Sequence, residues 1–184
     1  GLMSEQQLSS RSILDSDLVL RVRRNHGLEH ATLHILGRRY PNQPLAGHSD
    51  MNGFWIIGNV PTEALQSAIA EALQRMRSGE AKLAVHPNCG TNFVTSGVLA
   101  GAAAGLAMLG AGRRMRDTLD RLPMAMMLAT LALILAQPLG LLLQERVTTS
   151  GEPGDLQVVE IRAYQRGGAK PLKGVTSHRV ITAG

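Results

Sequence analysis

Apolar positions recur along this chain in three rhythms. From about Asp15 to Arg39 the spacing is helical: Asp15 or Ser16 can cap the start, Leu18, Val19 and Val22 open one apolar face, and Pro41 enforces a stop. Residues 41–53 are polar, Gly- and Pro-containing and loop-like. Phe54 to Val60, FWIIGNV, is almost continuously apolar and reads as a buried strand. Pro61-Thr62-Glu63 opens a helix to about Ser78, with Leu65, Ile69, Leu73 and Met76 on one face. Lys82 to Val85 reads as a second short strand, which makes 54–85 a β-α-β unit. Two uncharged runs follow, Phe93–Gly112 and Leu122–Gln144. Leu156–Tyr164 and Ser177–Thr182 then alternate as strands around a Gly/Lys/Pro turn, and can join the strands of 54–85.

Each uncharged run has the ~20 residues that cover a ~30 Å hydrocarbon layer at ~1.5 Å rise per residue. The expected fold class is therefore α+β: a long N-terminal helix, a β-α-β unit and a C-terminal β-hairpin, with a two-helix transmembrane hairpin. The competing reading is a pair of long core helices in a soluble domain. The expected organisation is a flexible stretch over 1–14, an α/β metal-site domain over 15–92, the membrane hairpin over 93–144 and C-terminal strands over 145–184. Gly97, Gly101 and Gly105 form a small-xxx-small stripe that suits packing against the second membrane helix or against another copy of the chain. Pro138 is expected to kink the second helix.

Charge refines this picture only a little. The net charge is +5 and aromatics make up 3% of the chain, with cations scattered, so no nucleic-acid surface is expected and attraction to the bilayer's headgroups explains the excess. The first residues lack an apolar signal-peptide core. Arg113, Arg114, Arg116 and Arg121 draw the hairpin loop to the cytoplasm, while Arg75, Arg77, Lys82, Arg146 and Arg162 draw the opposite ends. Exporting the N-terminal part without a signal is the harder route. The expectation is an inner-membrane protein with both termini cytoplasmic.

The chemistry concentrates in two short segments. NHGLEHATLH, 25–34, places His26 and His30 four apart with Glu29 between them, and His34 one turn further on. Positions four apart share a helix face, so two imidazoles can converge on one cation. H-x-x-E-H inverts the zinc motif H-E-x-x-H, in which the glutamate is the general base. HPNCGTN, 86–92, presents His86 and Cys89 from a short turn that Pro87 stiffens and Gly90 permits. Asn88, Thr91 and Asn92 can brace such ligands from behind. The plainer alternatives are a hydrogen-bonded polar helix face for the first segment and a capped helix start with an inert thiol for the second. Cys89 is the single cysteine, so an intrachain disulfide is excluded.

HGLEHATLH followed by HPNCGTNF and an apolar helix resembles the bacterial YqhQ-like membrane proteins, which carry His-Gly-Ala-Glu-His-Lys and then His-Pro-Arg-Cys-Gly-Thr-Ser-Phe. Similar short proteins occur in photosynthetic bacteria. The resemblance covers roughly residues 25–110. It implies a metal-dependent enzyme of unspecified reaction with a site at His26, Glu29, His30, His86 and Cys89. Leu28 and Ala31 stand where that pattern has Ala and Lys, Asn88 where it has Arg, and Asn92 where it has Ser. Any handling of anions by those two cations has no counterpart in this chain.

Three functions remain open at this stage. One is a hydrolase with a divalent transition metal, zinc first, held by His26, His30, His86 and Cys89, and Glu29 as base. A closed four-ligand structural site in a membrane-anchored assembly protein is the second. The third is a metal-free interaction module on an anchor. His48 and Asp50 read as polar loop residues, although Asp50 could approach the site. His178 lies on a strand pattern without an evident partner, and Trp55 reads as core or interfacial. No nucleophile elbow and no phosphate-binding glycine loop is present.

Overall fold

The computed structural model describes residues 16–112, 114–165 and 176–184. The expected flexible stretch over 1–14, Asp15 as a cap, Arg113 and the turn before the last strand lie outside the described residues.

The first helix, α1, runs Asp17–Arg39 with Ser16 at the N-cap position. Asp17 in its first turn and Arg38 and Arg39 in its last suit the helix dipole, and Tyr40 ends it ahead of Pro41. Then come β1 (Ala46–Asp50), β2 (Gly53–Gly58), α2 (Thr62–Arg77), a 3-10 turn (Ala81–Ala84), α3 (Gly90–Met108), α4 (Met115–Leu143), a π-helical turn (Gln144–Thr148), β3 (Gln157–Gln165) and β4 (Thr176–Ala183). The four strands form one antiparallel sheet in the order β1-β2-β4-β3.

The β-α-β unit expected over 54–85 is not formed. Residues 82–85 fall in and just after the 3-10 turn, and β2 pairs with β1 and β4 instead. The carbonyls of residues 84 and 85 serve His30 and His34 of α1 instead of a strand. β1 arises in the stretch expected to be a loop. Its sequence, AGHSD, has no apolar alternation because it is an edge strand whose inner positions are Gly47 and Ser49.

Two compact units result among the described residues: those up to 86 with those from 145 onward, and those within 87–144. In the first, α1 and α2 pack on one face of the sheet. Phe54, Ile56 and Val180 from the strands meet Leu28 and Leu36 of α1 and Leu65, Ala68 and Ile69 of α2 in one buried cluster. Each fully buried side chain of this size contributes ~1.5–3 kcal/mol. The opposite face carries His48, Trp55, Arg179 and Arg162 in one cross-strand row. Trp55 thus lies outside the core, its ring centre 5.4 Å from that of Tyr164.

In the second unit a short link makes α3 and α4 antiparallel. At one end Arg121 donates to the carbonyls of Ala107 and Leu109; at the other Gln144 Nε2 donates to Asn92 Oδ1 at 2.7 Å. α3 buries none of its residues, and Phe93, Val94, Val98 and Leu106 are each about two-thirds exposed. Core helices of a soluble domain hide such side chains. α3 and α4 are long and apolar enough to cross a membrane. The glycine stripe does not make the contact between them, since a Cβ at Gly97, Gly101 or Gly105 would meet nothing within 4 Å. The small residues that α4 buries are Ala125, Ala136 and Gly140, and a Cβ at Gly140 would collide with Asn92.

His178, without an evident partner in sequence, is fully buried on the inner face of β4, with Nε2 3.1 Å from Thr62 Oγ1. Burial pushes its pKa below the usual 6.5, and the Glu63 carboxylate opposes this in part. The unfolded chain then binds the proton at higher pH than the folded one, so this contribution is present above pH 6.5 and falls away as the pH drops below it. The melting temperature should decline from pH 7 to pH 5, and His178→Asn should decline less steeply; equal slopes by circular dichroism would contradict the assignment.

Candidate metal centre

α1 carries an unusual load of polar side chains into the interior: Asn25, Glu29, His30 and Thr32 are all buried. Each needs a hydrogen-bond partner to offset its lost hydration. Asn25 joins three elements, with Nδ2 donating to the Asp50 carbonyl at 2.8 Å and Oδ1 accepting from Thr182 Oγ1 at 2.7 Å. That junction fixes the rotation of α1 against β1 and β4, and with it the direction of the histidine face.

The histidines are held by backbone carbonyls. His26 Nδ1 lies 3.0 Å from Thr148 O, and His30 Nδ1 lies 2.7 Å from Ala84 O. A carbonyl oxygen only accepts, so both Nδ1 atoms carry the proton and both Nε2 atoms carry the lone pair. This leaves Nε2 of each ring as the atom able to ligate a metal, fixed by the outer contact that histidine ligands ordinarily make. His34 is pinned the other way round, with Nε2 donating to Val85 O at 2.8 Å, which leaves the lone pair on Nδ1.

Successive carbonyls at 84 and 85 therefore take His30 and His34, and His86 follows directly. Its ring centre lies 5.6 Å from that of His30 and 4.7 Å from that of His34, while His26 and His30 are 4.3 Å apart. Four imidazoles form a row: His26, His30, His86, His34. Burial, and next the proximity of His34, lower the pKa of His86 from 6.5 to about 4, so its ring is neutral near pH 7. Of the residues singled out in sequence, the first unit brings His26, His30 and His86 together and adds His34, marked in sequence only by continuing the same helix face.

Glu29 is buried on the side of α1 that meets β1. A Cβ at Gly47 would collide with its Oε1, so glycine is what lets β1 pass the carboxylate. Asp50 is occupied elsewhere: Arg179 Nη2 donates to its carboxylate at 2.8 Å and holds it below the usual range. His48 is exposed on β1. In the second unit Cys89 is the N-cap of α3, its Sγ accepting from the Thr91 N–H at 3.4 Å. Asn92, one turn in, donates to the Pro87 carbonyl at 2.6 Å and braces the turn that carries the thiol.

Gly27 explains how Thr148 reaches His26. A Cβ there would collide with the Ser150 carbonyl, and Ser150 N donates to Arg23 O at 2.9 Å. Residues 148–150 thus lie directly on α1. Gly27→Ala gains ~1 kcal/mol of helix propensity, but overpacking of this kind costs ~1–3 kcal/mol. The variant should melt below the parent in a thermal scan; a higher melting temperature would mean that the segment leading to β3 does not need this approach.

No solved structure matches the chain. An uncharacterised protein of the cyanobacterium Picosynechococcus is 37% identical over 154 residues, covering 78% of this chain and 73% of the relative. A family model described as a domain of unknown function, DUF6391, matches residues 21–161, which span most of α1, both apolar helices and the first half of β3. The paired carbonyl clamps, the HPNCGTN turn and the apolar hairpin all lie within that match, and the chain belongs to the DUF6391 family.

Proposed function

We propose that this protein is a membrane-anchored metalloprotein in which His26, His30 and Cys89 hold one divalent transition-metal ion, zinc by preference. The observation that carries the reading is the pair of carbonyl bonds that hold the proton of His26 and His30 on Nδ1 and leave both Nε2 atoms as donors on one helix face. The donor chemistry fits: two neutral imidazoles and a thiolate suit a borderline-soft ion far better than magnesium or calcium. Chain connectivity supports the thiol's part, since Cys89 follows His86 by three residues. α3 and α4 are the anchor, with the inner membrane as its place, both termini cytoplasmic, and the glycine stripe of α3 as the surface for self-association.

Three protein ligands leave a fourth position for water, the arrangement of a catalytic rather than a structural zinc. In the finer form of the reading the protein is a hydrolase. The ion when bound would activate that water, and Glu29, next to His30 in the H-x-x-E-H segment, would serve as its base. The second reading is a closed structural site with His86 as fourth ligand. It draws on the 5.6 Å between the His30 and His86 rings. The two readings differ in whether an exchangeable water remains on the ion.

Elemental mass spectrometry on detergent-purified chain should find about one tightly held transition-metal ion per molecule, lost in His26→Ala and in Cys89→Ser. Metal-free wild type prepared without chelator would sink the metal reading. Glu29→Gln should retain the ion while abolishing turnover of any hydrolytic substrate; loss of the ion in that variant would make Glu29 a ligand instead of a base.

A further inference from the structure

The row of rings is longer than one tetrahedral site needs. Two imidazoles bound to one ion at ~2.0–2.1 Å hold their ring centres about 5 Å apart. Along the row the separations are 4.3, 5.6 and 4.7 Å, each within about 1 Å of that spacing. The His26–His30 end belongs to the site proposed above. At the other end His34 and His86 are only partly buried, whereas His30 is 2% exposed. His34 is also oriented for the task, because the Val85 carbonyl fixes the proton on Nε2 and turns Nδ1 into the donor. A purely structural polar face would not require three rings each locked by a carbonyl, with a fourth lying between two of them.

We propose that His34 and His86 form a second, weaker site for a divalent transition-metal ion, from which the ion passes by ligand exchange through His30 into the deeper site. Two protein ligands leave the remaining positions to water, so this site captures an ion and also releases it. Each transfer exchanges one imidazole for the next, and the ion is never without a protein donor. The inference rests on the metal reading of His26 and His30.

The test uses the full chain in detergent, stripped of metal and titrated with Co2+. Wild type should take up a second equivalent of cobalt that a weak chelator removes, beside a first that it does not. His34→Gln should lose the removable equivalent, keep the tight one with its thiolate-to-cobalt charge-transfer band unchanged, and load it about tenfold more slowly, ~1.4 kcal/mol on the barrier. His86→Asn should do the same, which guards against a folding defect peculiar to either variant; His48→Ala, on the outer face of the sheet, should match wild type. One equivalent in wild type, wild-type loading in His34→Gln, or loss of the tight equivalent in His86→Asn would each overturn the second site and leave the first standing. Wild type that binds no cobalt would remove both.

Discussion

The structure of the first unit depends on how α1 disposes of its buried polar groups. A helix that carries an asparagine, a glutamate, a histidine and a threonine into the interior is costly unless every one is matched. Thr32 is matched within the helix by the Leu28 carbonyl, and the matches for Asn25 and the histidines come from four separate places: β1 and β4 for Asn25, the turn at 84 and 85 for His30 and His34, and residue 148 for His26. Because each partner is a backbone carbonyl or a strand side chain, the helix cannot rotate or slide without breaking several at once. The apolar contacts of Leu28 and Leu36 supply attraction; the polar contacts select one register.

That division of labour also separates what could be read along the chain from what could not. Helical periodicity exposed α1 and α2 within a residue or two, and the uncharged runs exposed α3 and α4. The three histidines of α1 stood out because a four-residue spacing is itself a statement about a shared face. Their partners did not stand out. A carbonyl at Ala84, Val85 or Thr148 has no signature in its side chain, and the same backbone demand is what keeps 82–85 out of the sheet. β1 was hidden for a related reason: glycine at 47 is there to make room for a carboxylate, so the strand lacks the alternation by which strands are recognised. Asn25 lies one residue before His26 with no spacing to mark it, although it is the residue that aims the motif.

At the proposed metal centre backbone carbonyls, and not carboxylates, orient His26, His30 and His34. A carboxylate partner for an imidazole adds a negative charge to the centre and raises ligand basicity; a carbonyl fixes the tautomer without adding charge. In a cluster of four imidazoles with one buried glutamate close by on the same helix, neutral clamps keep the local charge near that of the ligands themselves. Such a centre stays responsive to the charge of whatever binds to it.

The sheet has one more consequence, for the order in which the protein is made. β4 is an inner strand, placed between β2 and β3, yet more than a hundred residues of chain separate it from β2, and the apolar hairpin lies in that interval. Until the last strand emerges from the ribosome, β2 presents an open edge and Phe54 and Ile56 have no cover from Val180. The nascent chain must therefore carry an unfinished, aggregation-prone domain while it disposes of two helices. Since β2 and β4 end in the same sheet, the segment between them must leave and return on one side of any bilayer it enters. Insertion as a paired hairpin satisfies that requirement in a single event, and a chain stalled after one crossing could never close its sheet.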